Sequence, residues 1–219
     1  SQPVQVTACT GIDALAHALE AAVTRDRNES SARHARLAFL LVQENLEKAF
    51  VDPGDVTARG FVQLGASHAG AAIENSMLGA AHSMANPLTA RREVVHGNAV
   101  GMSLPSVMRF NTELLEVRAI YAGLARDAGL VGDEIDDSIA AETVIGRVET
   151  LLEAAGFPLT LEEHDFSSEE VSGLAAEAAE QWTANFNPRP VTEQDFEKLY
   201  GSLFAGSACE EGGNEASLS

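Results

Sequence analysis

The chain has 219 residues, 45% of them hydrophobic, enough for one sizeable core or two small ones and far from the composition of disordered proteins. Its 33 acidic against 14 basic residues leave a net charge of −19, which argues against nucleic acid as a partner because phosphate binding rests on Lys and Arg. No run reaches the roughly 20 continuous apolar residues of a membrane span, and no basic segment leads into an apolar one, so the sequence is read as neither targeted to nor inserted in a membrane.

The two cysteines, Cys9 and Cys209, stand far apart without CxxC spacing, which suggests neither a disulfide framework nor a zinc knuckle and fits a cytoplasmic protein. The chain opens on Ser1-Gln2-Pro3, and helical patterning follows almost at once. This reads as a sequence cut at a domain boundary.

In chain order, Thr10 precedes an apolar series at Ile12, Leu15, Ala16, Leu19, Ala22 and Val23, the three-and-four spacing of one helix face, with Thr10 as the expected N-cap. A second helix is expected from Ala32 to about Phe50, and Asp52-Pro53-Gly54 marks a turn. From Asp55 to Met84 an Ala-rich helical stretch carries Gly60, Gly65, Gly70 and Gly79, each costing about 1 kcal/mol against Ala inside a helix. Close packing is the expected compensation, and Gly79 is the alternative point of division into two helices.

Pro87 is expected to end that region, with a loop to His96 and a new helix from about Asn98. Helical patterns follow at about Thr112 to Ala128, Asp136 to Ala155, Ser168 to Phe186 and Thr192 to Phe204. With no alternating strand series between them, the expectation is an all-α domain of about eight helices over residues 1–205. The Gly-, Ser-, Ala- and Glu-rich residues 206–219 read as a disordered acidic tail.

The residues with chemistry to offer are few. Asp13 and His17 are four apart, stacked on one helix face, where two donors can share one ion. The competing reading puts Asp13 at the third helical position after Thr10, where a carboxylate favours the helix N-terminus; the two readings are compatible. His82 ends a small-residue helix and His96 follows the next loop, directly before Gly97, so a helix end and a loop can converge there. Either alone is a weak metal signal, because a solitary histidine is more often a hydrogen-bonded core residue. His34 and His164 read as surface residues, and His68 has no second ligand four residues away.

Four stretches change the weight of this set: Thr10-Gly-Ile-Asp-Ala-Leu-Ala-His-Ala-Leu-Glu20, Gly79-Ala-Ala-His-Ser-Met-Ala-Asn-Pro-Leu88, His96-Gly-Asn-Ala-Val100 and Leu104-Pro-Ser-Val-Met-Arg-Phe-Asn111. In wording, order and spacing they resemble the iron-containing alcohol dehydrogenase family, of the dehydroquinate synthase-like superfamily. Asn187-Pro-Arg-Pro-Val-Thr192 resembles the family's late segment, so the likeness runs over nearly the whole chain. The resemblance implies the helical C-terminal domain of that fold and one catalytic divalent ion held by Asp13, His17, His82 and His96. With a position left open, such an ion acts as a Lewis acid on an alcohol or carbonyl oxygen while hydride passes to or from NAD(P). The family implies Fe(II), whereas a nitrogen-rich donor set favours Zn(II) by the general affinity order, and both stay open.

Two departures matter. Asn86 stands where many members have a second histidine thought to relay protons; Asn can hydrogen-bond but cannot titrate near neutral pH, so it is expected to be a pocket residue. No strand followed by a Gly-rich phosphate loop occurs, so the NAD(P)-binding domain is expected to be missing from this sequence. The expectation is therefore the metal-binding half of an NAD(P)-dependent alcohol dehydrogenase or aldehyde reductase, inactive alone, acting on a small alcohol or aldehyde. Homo-oligomerisation is left open. The alternatives are a metal-independent reductase of the maleylacetate reductase type and a non-catalytic helical bundle with a structural metal.

Overall fold

The computed structural model describes residues 2–204, so the expected tail at 206–219 lies outside the described residues. Among the described residues there are nine α-helices, three short 3-10 turns and no strand. The helices are α1 (Val4–Val23), α2 (Glu29–Val51), α3 (Val56–Glu74), α4 (Ala80–Arg92), α5 (His96–Asn111), α6 (Leu115–Asp127), α7 (Asp137–Ala155), α8 (Val171–Ala179) and α9 (Glu193–Gly201). The all-α expectation holds.

α1 is the hub, packing against α2, α3, α5, α6 and α7. Its sequence explains why. Ile12, Leu15 and Leu19 are fully buried, each contributing about 1.5–3 kcal/mol through removal from water. Between them Gly11, Ala14, Ala16, Ala18, Ala21 and Ala22 keep the surface low enough for neighbours to approach from several sides. By length and composition α1 could also cross a membrane, although its apolar residues do not form one continuous run. However, 72% of its apolar window is buried inside the protein, and core helices pass the same test.

Several boundaries differ from the sequence reading, each for a physical reason. α1 starts at Val4 after Pro3, so Thr10 is no N-cap: it lies inside the helix and its hydroxyl donates to the Val6 carbonyl at 2.8 Å. Asp13 is therefore well past the first turn, and the capping explanation for it falls away. The long stretch after Asp55 does divide, with α3 ending at Glu74 and Gly79 standing just before α4.

Of its glycines, Gly65 meets α2, where a Cβ would come within 2.6 Å of Val42 Cγ2, but nothing lies near a Cβ at Gly60 or Gly70. The packing explanation therefore covers Gly65 and not those two. Pro87 does not end α4. The helix runs on to Arg92 because burial from Ala80 to Ala85 and again at Pro87 and Leu88 outweighs the one missing N–H. α5 begins at His96 itself, two residues earlier than expected.

The helix expected over 168–186 is broken into a 3-10 turn at Ser168–Glu170, α8, and a 3-10 turn at Trp182–Phe186. An extended Gln181 lets Thr183 reach α4, where its hydroxyl meets that of Ser83 at 2.7 Å in the core.

Candidate metal centre

α1, α4 and α5 converge on one point. Asp13 and His17 come from successive turns of α1, His82 from the first turn of α4 and His96 from the start of α5. Close approach of α5 to α1 is secured at Gly97, next to His96, which lies directly against the Cys9 carbonyl, one turn before Asp13.

The Asp13 carboxylate oxygen Oδ1 is the common neighbour. It lies 3.5 Å from His17 Nε2, 3.5 Å from His82 Nε2 and 3.6 Å from His96 Nε2. Donor atoms of Asp13, His82 and His96 are all within 4.8 Å of one another. His17 is tied to the group through Asp13 and by its ring, stacked on His82 with centroids 4.9 Å apart. All four sequence-derived residues are thus brought together.

The separations are too long for hydrogen bonds. They suit a shared cation, because ligand atoms at about 2.1 Å in tetrahedral array stand about 3.4 Å apart. Two buried atoms make the same point: Asp13 Oδ1 and His82 Nε2 have no hydrogen-bond partner, and a buried polar atom without one is costly. The residues present fit a divalent ion.

Charge is arranged to match. Burial holds the pKa values of His17 and His96 below the ordinary imidazole range despite the pull of Asp13, leaving their lone pairs free. Burial also opposes a charge on His82, but the carboxylates of Glu20 and Asp13 outweigh it and push its pKa up to about 9. That proton occupies the lone pair a cation would take. Burial disfavours the Asp13 anion as well, yet the three imidazoles hold its pKa below the usual carboxylate value.

The cluster is graded in depth: the His82 side chain is 4% exposed and that of His96 43%, so the site opens on the His96 side.

One residue escaped the sequence reading. Glu20, 4% exposed, faces the far side of the His82 ring, with Oε2 2.5 Å from Nδ1, while Oε1 accepts the Ala81 amide at 2.8 Å. Its His82 partner and the backbone amides keep its pKa low in spite of burial. A signal for it existed. Asp13, His17 and Glu20 are spaced four and three apart, a polar stripe in a segment that is otherwise apolar from Ile12 to Val23.

The remaining candidates sit elsewhere. Asn86 is one turn beyond His82 on α4, half-buried, with its amide nitrogen donating to the Gln181 side chain at 2.9 Å. His34 and His164 are half-buried instead of exposed. His34 in fact faces His68 across α2 and α3, Nδ1 to Nδ1 at 2.9 Å, a pairing that no four-residue spacing could reveal. A groove of about 650 Å³ between α5, α7 and α9, lined by Met102, Phe110, Leu152 and Lys198 among others, is bordered by none of the four cluster residues.

The described residues thus form an all-helical fold that gathers three histidines and an aspartate from three helices. Residues 7–204 match the model of the Fe-containing alcohol dehydrogenase family, C-terminal part, and the chain belongs to that family. Among curated relatives, the NADPH-dependent butanol dehydrogenase of Clostridium saccharobutylicum is 29% identical, the match covering 94% of this chain and 53% of the relative. The 1-propanol dehydrogenase of Salmonella typhimurium is 32% identical, over 93% of this chain and 56% of the relative.

Among solved structures, that of a 1,3-propanediol oxidoreductase superposes with a TM-score of 0.88 at 30% identity, over 93% of this chain and 53% of the other. A maleylacetate reductase from Rhizobium shares the fold at 24% identity, with a TM-score of 0.75 over 93% of this chain and 54% of the other. The chain spans about half the length of the curated relatives it matches.

Proposed function

We propose that this chain is the metal-binding half of an NAD(P)-dependent alcohol dehydrogenase or aldehyde reductase, with Asp13, His17, His82 and His96 as ligands of one divalent ion. The observation that carries this reading is the pair of buried, unpartnered atoms Asp13 Oδ1 and His82 Nε2, flanked by the Nε2 atoms of His17 and His96. The ion, Fe(II) or Zn(II), would supply Lewis acidity toward an alcohol or carbonyl oxygen.

The chain's own residues do the rest. Asp13 offers the single negative charge of the set, and three imidazoles add neutral donors, leaving the site net positive and receptive to an oxygen with developing negative charge. His82 forms the buried floor, where neighbours exclude water, and His96 the open edge through which substrate enters. Asn86, one turn beyond His82 on α4, is the proposed pocket residue. Its carboxamide orients without titrating, so a proton leaves by water or through a substrate group.

The nucleotide, NAD or NADP, belongs to a domain outside this sequence. Short primary alcohols, or the corresponding aldehydes, are the proposed substrates, by similarity to relatives named for butanol and 1-propanol. The cysteine usage supports a cytoplasmic setting.

The test is metal content by elemental analysis, after anaerobic addition of Fe(II) or Zn(II), for the native chain and for His82→Ala. One equivalent in the native chain and a large loss in the variant is expected; no bound metal in the native chain refutes the reading. The same preparation, given a primary alcohol and NAD(P) without a partner, is expected to show no turnover, and steady turnover would contradict dependence on a second domain.

A further inference from the structure

Three of the four motif stretches of the sequence supply the cluster residues, yet the motifs also carry residues that this set leaves unused: Glu20, Gly79 and Asn111, with Asn187 from the late segment. These residues meet behind His82. Glu20 and Asn187 are 4% and 1% exposed, and Asn111 2%.

The first turn of an α-helix has amides without intrahelical acceptors. In α4 two of them are taken by side chains from distant segments: the Ala81 amide donates to Glu20 Oε1 at 2.8 Å and the Ala80 amide to Asn187 Oδ1 at 3.2 Å. Asn187 is held in turn by a reciprocal carboxamide pair. Its Nδ2 donates to Asn111 Oδ1 at 2.7 Å, and Asn111 Nδ2 donates to Asn187 Oδ1 at 3.1 Å. Its Nδ2 also donates to the Arg189 carbonyl at 2.7 Å. Gly79 makes room for the arrangement, since a Cβ there would stand 2.9 Å from Asn187 Oδ1 and 3.0 Å from Glu20 Oε1.

Glu20 therefore grips two things with one carboxylate: the backbone at the start of α4 and the ring of the third residue of that helix. A carboxylate can only accept, so the His82 nitrogen facing it, Nδ1, carries the hydrogen. Nε2, on the opposite side of the ring, is thereby the nitrogen turned toward Asp13 and the one whose lone pair a cation would take. Fixing ring and tautomer from behind is how a carboxylate raises the affinity of a histidine ligand for metal.

We propose that Glu20 is the positioning residue of the metal site, locking His82 with Nε2 toward Asp13, and that Asn187 and Asn111 brace it by fixing the first turn of α4. This rests on His82 being a ligand, as argued above.

The probe is Zn(II), with its dissociation constant measured by competition against a chromophoric chelator on the native chain, Glu20→Gln and Glu20→Asp. Glutamine can accept only at its oxygen, so one of the two grips is lost. Aspartate keeps the charge but is too short to span both. Each is expected to weaken Zn(II) binding about 10- to 100-fold, and Asn111→Ala, which loosens the brace alone, by less.

A purely structural role would lower stability and leave the histidine signals in place. In ¹⁵N–¹H spectra of the Zn(II)-loaded protein, the native His82 Nδ1–H is expected far downfield, and it moves upfield in Glu20→Gln. If Glu20→Gln does not fold, Glu20→Asp decides. Native-like Zn(II) affinity in a folded Glu20 variant overturns this inference alone, whereas absence of Zn(II) binding by the native chain removes it together with the metal reading.

Discussion

Gly97 in α5 lies against the backbone carbonyl of Cys9 in α1 so closely that a single added methyl group would overlap it. The contact is backbone on backbone, so no flexible side chain can give way. It sets the distance between the helix carrying Asp13 and the residue next to His96.

Gly97→Ala is therefore expected to push α5 off α1. Overpacking of this kind costs about 1–3 kcal/mol, read as a lower urea midpoint with unchanged slope, and it should carry His96 away from Asp13 and weaken metal binding. Native-like midpoint and metal content in the variant would show that the two helices can separate freely.

Binding to the folded state alone should raise stability by mass action, by about 2.7 kcal/mol at a free-ion concentration 100 times the dissociation constant. Zn(II) is expected to raise the thermal midpoint of the native chain, and a chelator to reverse the gain. Asp13→Asn, which removes the one anion of the proposed ligand set, is expected to abolish most of that response. A rise of equal size in Asp13→Asn would place the stabilising ion elsewhere.

His34 and His68 face each other through Nδ1 atoms 2.9 Å apart, so one must donate and the other accept. A double-mutant cycle with His34→Ala and His68→Ala at pH 8 is expected to give a coupling of about 0.5–1.5 kcal/mol. Additive effects would mean the contact holds nothing together.

Asp127 is hydrogen-bonded to the Arg36 guanidinium, which holds its pKa below the ordinary carboxylate value. For a lowered acid pKa the contribution to stability is fully present above the unfolded value, near 3.8, and disappears as pH falls through the folded one. Both side chains are substantially exposed, so the pair is worth at most about 1 kcal/mol. Asp127→Asn is expected to lower the urea midpoint slightly at pH 7 and to match the native chain near pH 2. A difference that grows as the pH falls would contradict the assignment.

How much was legible in advance differs from element to element. The apolar spacing from Ile12 to Val23 and the absence of any alternating run were enough to read an all-α chain, because a helix imposes its 3.6-residue period on the sequence directly. Helix ends were read less well. Thr10 looked like a cap and Pro87 like a stop, and both lie inside helices: Pro3 stands before α1, and burial carries α4 past its proline. Such choices depend on what a segment packs against, which local patterns do not record.

By itself the sequence determined the helical class and, through the wording of its motifs, family membership and a candidate ligand set at Asp13, His17, His82 and His96. Only the tertiary structure decided that these four share one point in space, that Asp13 is no cap, and that Glu20 stands behind His82. The reason is one of distance along the chain. Asp13 and His17 are one turn apart and announce each other by spacing, whereas Glu20 and His82 are separated by 62 positions and meet only because the fold brings the start of α4 up to α1.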